Sequence, residues 1–144
     1  MKKVPLACLQ EHNALLISNV QDGMQQNPHE ILSMTADEYL HWLRKLALKS
    51  RETGCFADFY FGRITASEKE AVLSHLPDSS REYILSLNAS SDDLYYQLDG
   101  PDDPGLAILA DLSARELLFS TFYFTRPRCT VWGNYGLKYP VFYG

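Results

Sequence analysis

The chain has 144 residues, 46% of them apolar and 22% charged, and a net charge of −5. A single globular domain of that size hides roughly 70% of its unfolded surface, so it needs no metal or disulfide staple, and the composition excludes a disordered or fibrous chain. Its three widely spaced cysteines, Cys8, Cys55 and Cys129, cannot all pair, and they read as reduced thiols of a cytoplasmic protein.

The opening residues end in Leu6-Ala7-Cys8, as a lipoprotein signal would. The apolar stretch before the cysteine is much shorter than the roughly 7–15 residues such a signal needs, so the segment is expected to belong to the fold. No stretch approaches the roughly 18 apolar residues of a membrane helix. Asn13 to Val20 is a short apolar run that suits a strand or a helical turn equally, and Gln21 to Glu30, with Gly23, Asn27 and Pro28, reads as a loop. Thr35 and Glu38 then form a capping box, and Tyr39, Leu40, Trp42, Leu43, Leu46 and Ala47 share one side of a 3.6-residue wheel. Basic residues towards the end complement the helix dipole and Gly54 supplies a stop, so the pattern predicts a helix over 36–53. Cys55 to Phe61, aromatic and bounded by Gly54 and Gly62, predicts a strand.

Three more matches to the capping-box pattern follow, at Ser67–Glu70, Ser79–Glu82 and Ser113–Glu116. Each predicts the start of a short helix, the last reaching Leu117 to Ser120. Ser91 is expected to cap a further turn through Leu98. Asp99 to Gly105 is dense in turn formers, and Pro104 suits the first position of a helix carrying Leu106, Ile108, Leu109 and Leu112. The end of the chain, Leu117 to Gly144, holds nine of the eighteen aromatic residues and only three charges, Arg126, Arg128 and Lys138. It is expected to be the centre of the core, with Phe122–Thr125, Cys129–Tyr135 and Tyr139–Tyr143 extended and Trp132 to Gly136 forming a surface loop.

The expected architecture is α+β, with short strands, a long amphipathic helix (36–53) and several short helices over one domain spanning residues 1–144. A mostly α-helical fold is the alternative, because four capping boxes are a helical signature. No catalytic residue, cofactor or metal is indicated. The cysteines lack paired spacing, His12, His29, His41 and His75 form no ligand motif, and there is no nucleophile elbow or phosphate loop. Charge is segregated: Asp78 to Asp111 carries eight acids against Arg81 alone, a local −7, so the remainder of the chain sums to +2. That sign argues against nucleic acid and for a basic protein partner. Asp92, Asp93, Asp99, Asp102 and Asp103 are the candidate acidic contacts, and Trp132 and Tyr135 the candidate aromatic ones, since Trp and Tyr bury large areas with few rotors.

The segments Glu116–Phe124, Thr130–Tyr135 and Tyr139–Phe142 resemble small bacterial immunity proteins of contact-dependent growth-inhibition and other polymorphic toxin systems. The resemblance implies a compact, acidic, cytoplasmic binding protein that neutralises a cognate protein toxin, with no membrane role. It assigns no individual residue. A small enzyme or ligand-binding domain, with His41 or Cys55 beside a carboxylate in a pocket assembled only by the fold, is the alternative. A structural subunit of a homo-oligomer is a third.

Overall fold

The computed structural model describes residues 1–144. In chain order the elements are β1 (Lys2–Val4), α1 (Leu6–Glu11), α2 (Val20–Gln26), β2 (His29–Ser33), α3 (Ala36–Lys49), β3 (Cys55–Asp58), α4 (Ala66–Ser74), α5 (Asp78–Ser86), β4 (Tyr95–Gln97), α6 (Pro104–Ala114), β5 (Phe122–Thr125), β6 (Arg128–Val131) and β7 (Lys138–Tyr143). Short 3-10 turns occupy Tyr60–Arg63 and Tyr135–Leu137. All seven strands join one antiparallel sheet in the order β1-β4-β3-β5-β6-β7-β2. No helix is long and apolar enough to cross a membrane.

This architecture corrects the expected one. The strands are not isolated pieces beneath a long amphipathic helix; they form a single seven-stranded sheet, and the mostly helical alternative fails. The longest helix, α3, has 14 residues and ends at Lys49, short of the expected residue 53. Ser50 stops it. Its buried hydroxyl donates to the Arg126 carbonyl at 3.1 Å and accepts the Arg126 N–H at 3.0 Å, tying the helix end to the β5–β6 turn. Gly54, at φ +124°, then donates to the Ser50 carbonyl at 2.7 Å and starts β3.

Several local expectations also change. The segment 1–34 holds two helices and two edge strands where only a weak pattern was legible. Residues 92–98 contain strand β4 instead of a helical turn, and the strand from Cys55 ends at Asp58. Helix α4 is capped by Thr65 and Glu68, not by Ser67, and α5 starts after Pro77 without a side-chain cap. Ser113 caps nothing. It is buried near the end of α6, where its hydroxyl accepts the Ser120 N–H at 3.1 Å, and Glu116 leaves the helix at φ +60°.

The strand period of two sorts the sheet into unlike faces. Cys55, Ala57, Tyr96, Phe122, Phe124, Cys129, Val131, Tyr139 and Val141 share one apolar cluster with Tyr39, Leu43 and Leu46 of α3 and Leu106 and Leu109 of α6. On the other face Phe56 and Tyr123 meet Leu9 and Ala14 of the N-terminal segment. That segment is also held by the Thr130 hydroxyl, which donates to the Leu15 carbonyl, and by Gly23, where an added Cβ would lie 2.7 Å from the Phe142 ring.

At the centre of the main core the rings of Tyr39 and Tyr139 stack with centroids 3.7 Å apart and planes within 9°. Both hydroxyls are buried without a hydrogen-bond partner. An unmatched buried hydroxyl costs about 1–3 kcal/mol. The substitution Tyr39→Phe is therefore expected to raise unfolding free energy by about 1 kcal/mol, read as a higher urea midpoint at unchanged slope; a loss of stability would show that the hydroxyl is matched in solution.

Candidate binding cleft

On the second face of the sheet the N-terminal segment leaves a gap beside the end of β3, and a cleft of about 280 Å³ opens there. Its floor is Asp58, the last residue of β3. Antiparallel pairing sets Tyr95 of β4 directly opposite Asp58, and Tyr123 of β5 opposite Phe56. The rings of Tyr95 and Tyr123 meet edge to face at 6.4 Å. Tyr60 of the 3-10 turn joins them, Phe119 and Trp132 form one wall, and Ile17 and Ser18 complete the lining. Gly133 lets that wall lie close, since a Cβ there would stand 2.9 Å from the Ser120 carbonyl oxygen.

Asp58 is only 5% exposed. It exchanges backbone and side-chain bonds with Thr121: its amide donates to the Thr121 carbonyl at 3.0 Å, and its Oδ1 accepts the Thr121 N–H at 2.7 Å. No basic side chain pairs with the carboxylate. Burial raises the carboxyl from its ordinary 3.8 to about 7, against the opposing pull of Thr121. Its charge is felt around the cleft: Tyr60, Tyr95 and Tyr123 are each pushed up, first by burial and next by Asp58. The lining contains no Lys, Arg or His and only one carboxylate. Such a site can hold a positive group or exchange one proton near neutral pH, and it offers a metal only one ionic ligand.

The residues singled out from sequence are dispersed. Trp132 is half-buried and lines the cleft. Tyr135 is 69% exposed and packs its ring edge to face on Phe119 at 4.8 Å, so Phe119 links it to the cleft that Trp132 lines. Val131 ends β6 before them, which corrects the expectation of a strand continuing to Tyr135. Asp92 is exposed in the loop leading to Tyr95, whereas Asp93 is half-buried, accepts the Ser90 N–H at 2.8 Å and pairs with Lys3 at 2.9 Å. Asp99 and Asp102 are exposed beyond the other end of β4. The acidic set is therefore split by a strand and does not form one face.

Asp103 is withdrawn from the surface altogether. It is buried, its carboxylate lies 2.9 Å from the Met1 ammonium, and it accepts the Gly105 N–H at 2.8 Å and the Asp99 N–H at 2.9 Å. Its carboxylate is engaged inside the fold, where it caps α6 and anchors the first residue. His41 and Cys55, the residues whose pocket would favour the alternative of an enzyme or ligand-binding domain, lie apart. His41 is exposed on α3, and Cys55 faces the helix-covered core, where burial pushes its thiol up to about 12. Cys8 does approach a histidine, with Sγ 3.8 Å from His12 Nδ1, but that nitrogen lies 2.7 Å from the Cys8 carbonyl oxygen and serves the helix end.

Sequence reasoning passed over Asp58. The signal was a lone acid inside the aromatic run Cys55–Phe61, where any charge needs a reason to be buried. No family model, curated protein or solved structure matches this chain.

Two predictions follow from opposite titrations. The folded Asp58 holds its proton more tightly than the unfolded one, so its favourable contribution is complete below about pH 4 and is lost as pH rises through about 7. Three units correspond to a penalty on the order of 4 kcal/mol at pH 8. Asp58→Asn should accordingly be more stable than the parent at pH 8 and show no gain at pH 4, in urea titrations at both values. For Asp103, burial pushes the carboxyl up, but the Asp99 amide, the Met1 ammonium and the Gly105 amide outweigh it and hold it below its ordinary value. Its stabilisation is present above about pH 4 and disappears as pH falls through the lowered value. Asp103→Ala is expected to cost about 3 kcal/mol at pH 7, since it leaves the ammonium buried and unpaired, and clearly less at pH 2.

Proposed function

We propose that this chain is an immunity-type protein of the cytoplasm that binds and neutralises a basic protein toxin through acidic and aromatic surface contacts. The observation that carries the reading is the aromatic lip: Tyr135, 69% exposed, rests on Phe119 beside the half-buried Trp132, at the mouth of a cleft whose only charged wall is a carboxyl. Exposed aromatic anchors backed by a desolvated pocket are the usual composition of interface hot spots. Exposed Asp92, Asp99 and Asp102 supply the negative field that steers a basic partner. The resemblance of the C-terminal segments to immunity proteins points the same way.

A second reading, a ligand-binding domain, rests on Asp58 itself, since buried carboxyls with displaced titration cluster at functional sites. The immunity reading is tested by expressing the chain with the toxin candidate encoded beside its gene, scoring growth, and measuring the complex in solution. Growth protection and a salt-sensitive complex are expected. Tyr135→Ala should weaken the complex by about tenfold or more, the size of a hot-spot truncation. Reversing Asp92, Asp99 and Asp102 to Lys should slow association roughly tenfold at low salt with little change in dissociation. Absence of protection, or a complex indifferent to both sets of variants, would discard the reading.

A further inference from the structure

We propose that the Asp58 cleft is a receptor for a guanidinium group, the side chain of one arginine presented by the protein partner; the origin of that arginine rests on the immunity reading, whereas the receptor chemistry does not. Three features of the site point to a cation. The floor is a carboxylate held by Thr121 and joined in no salt bridge. The walls are aromatic, with Tyr60, Tyr95, Tyr123 and Trp132 lining the same cleft. Their π-faces carry negative potential and attract cations, most strongly where water is displaced. No basic side chain lines the cleft to neutralise Asp58 from within.

Size and hydration choose guanidinium. Small-molecule pockets usually measure about 300–1,000 Å³, so a cleft of about 280 Å³ suits a single side chain better than a whole cofactor. A lysine ammonium is a strongly hydrated point charge that gains little from flat aromatic walls, and the one carboxylate of the cleft is already shared with Thr121. A guanidinium is weakly hydrated and planar, stacks on aromatic rings, and can reach the carboxylate with one N–H while its faces meet the tyrosines.

Binding is coupled to a proton. Asp58 is half-ionised near neutral pH, and a bound cation holds it ionised, so complex formation releases the carboxyl proton to solvent. The facing groups do not blur this titration. Tyr60 from the 3-10 turn, Tyr95 from β4 and Tyr123 from β5 are all pushed above their ordinary values and stay neutral. Arg63, whose charge opposes those shifts at Tyr60 and Tyr95, keeps its charge and donates from Nε to the Ser91 carbonyl at 2.9 Å. Asp93, ahead of β4, is held ionised by Ser90 and Lys3. For a carboxyl titrating near 7, affinity rises about tenfold between pH 6 and pH 8 and levels above that.

The test uses the free full-length chain and two blocked amino acids, N-acetyl-arginine methylamide and N-acetyl-lysine methylamide, followed by amide chemical shifts at Asp58, Thr121 and Gly133. The arginine probe should saturate with a dissociation constant on the order of millimolar, as one side chain allows, and bind about tenfold tighter at pH 8 than at pH 6. The lysine probe should bind several-fold more weakly. Asp58→Asn should abolish arginine binding and its pH dependence, and Tyr95→Leu, which keeps the carboxyl, should weaken it. No saturable shift with the arginine probe, equal or tighter lysine binding, or binding retained by Asp58→Asn would each overturn the assignment. Failure here leaves growth protection by the chain unaffected, and failure of protection leaves arginine binding by the free chain intact, so the two proposals fall separately.

Discussion

Strands β3 and β5 lie side by side in the middle of the sheet, and their pairing imposes a division on everything around them. Cys55 and Ala57 point with Phe122 and Phe124 into the helix-covered core, so Phe56, Asp58 and Tyr123 must point the other way. A one-residue slip of β3 would put a carboxylate into the most apolar part of the molecule, and a slip of β5 would turn two phenylalanines out of it. Register is therefore strongly specified by the core face. The cleft takes its composition from what that register leaves on the far side.

The two faces are covered unequally. Helices α3 and α6 seal one with leucines and with Tyr39, which stacks on Tyr139. The other is covered by α1, α2 and the extended segment between them, which reach Phe56, Thr130 and Phe142 but stop short of Asp58. Burying Asp58 is costly, and the Thr121 amide compensates only part of that cost. A large core that needs no help from this position can carry the cost of a carboxyl buried at the cleft. The aromatic lip and the cleft are one continuous surface, because Phe119 belongs to both.

Negative charge plays two distinct parts in this chain. Asp103 and Asp93 serve the fold: each accepts backbone amides and pairs with a cation at the start of the chain, the Met1 ammonium or Lys3. Asp92, Asp99 and Asp102 remain exposed and are free to act at a distance. Their similar neighbourhoods in the sequence conceal this difference. Whether an aspartate becomes a cap or stays in solvent depends on which distant backbone donors arrive beside it.

Local chemistry was legible where one motif sufficed. The box at Thr35 and Glu38 and the proline at the first position of α6 follow from near neighbours in the chain. The same Ser/Thr-x-x-Glu spacing misled at Ser79 and Ser113, because a pattern of four residues does not say whether the chain is entering or leaving a helix. The end of α3 was set by a contact 76 residues away, between Ser50 and Arg126. Composition and aromatic density determined that residues 117–144 would supply much of the core, since so apolar a segment must leave water. Only the tertiary structure decided that Asp58, Tyr95, Tyr123 and Trp132 share one cleft, because strand pairing joins residues by register across the sheet, and register is settled by the packing of the opposite face.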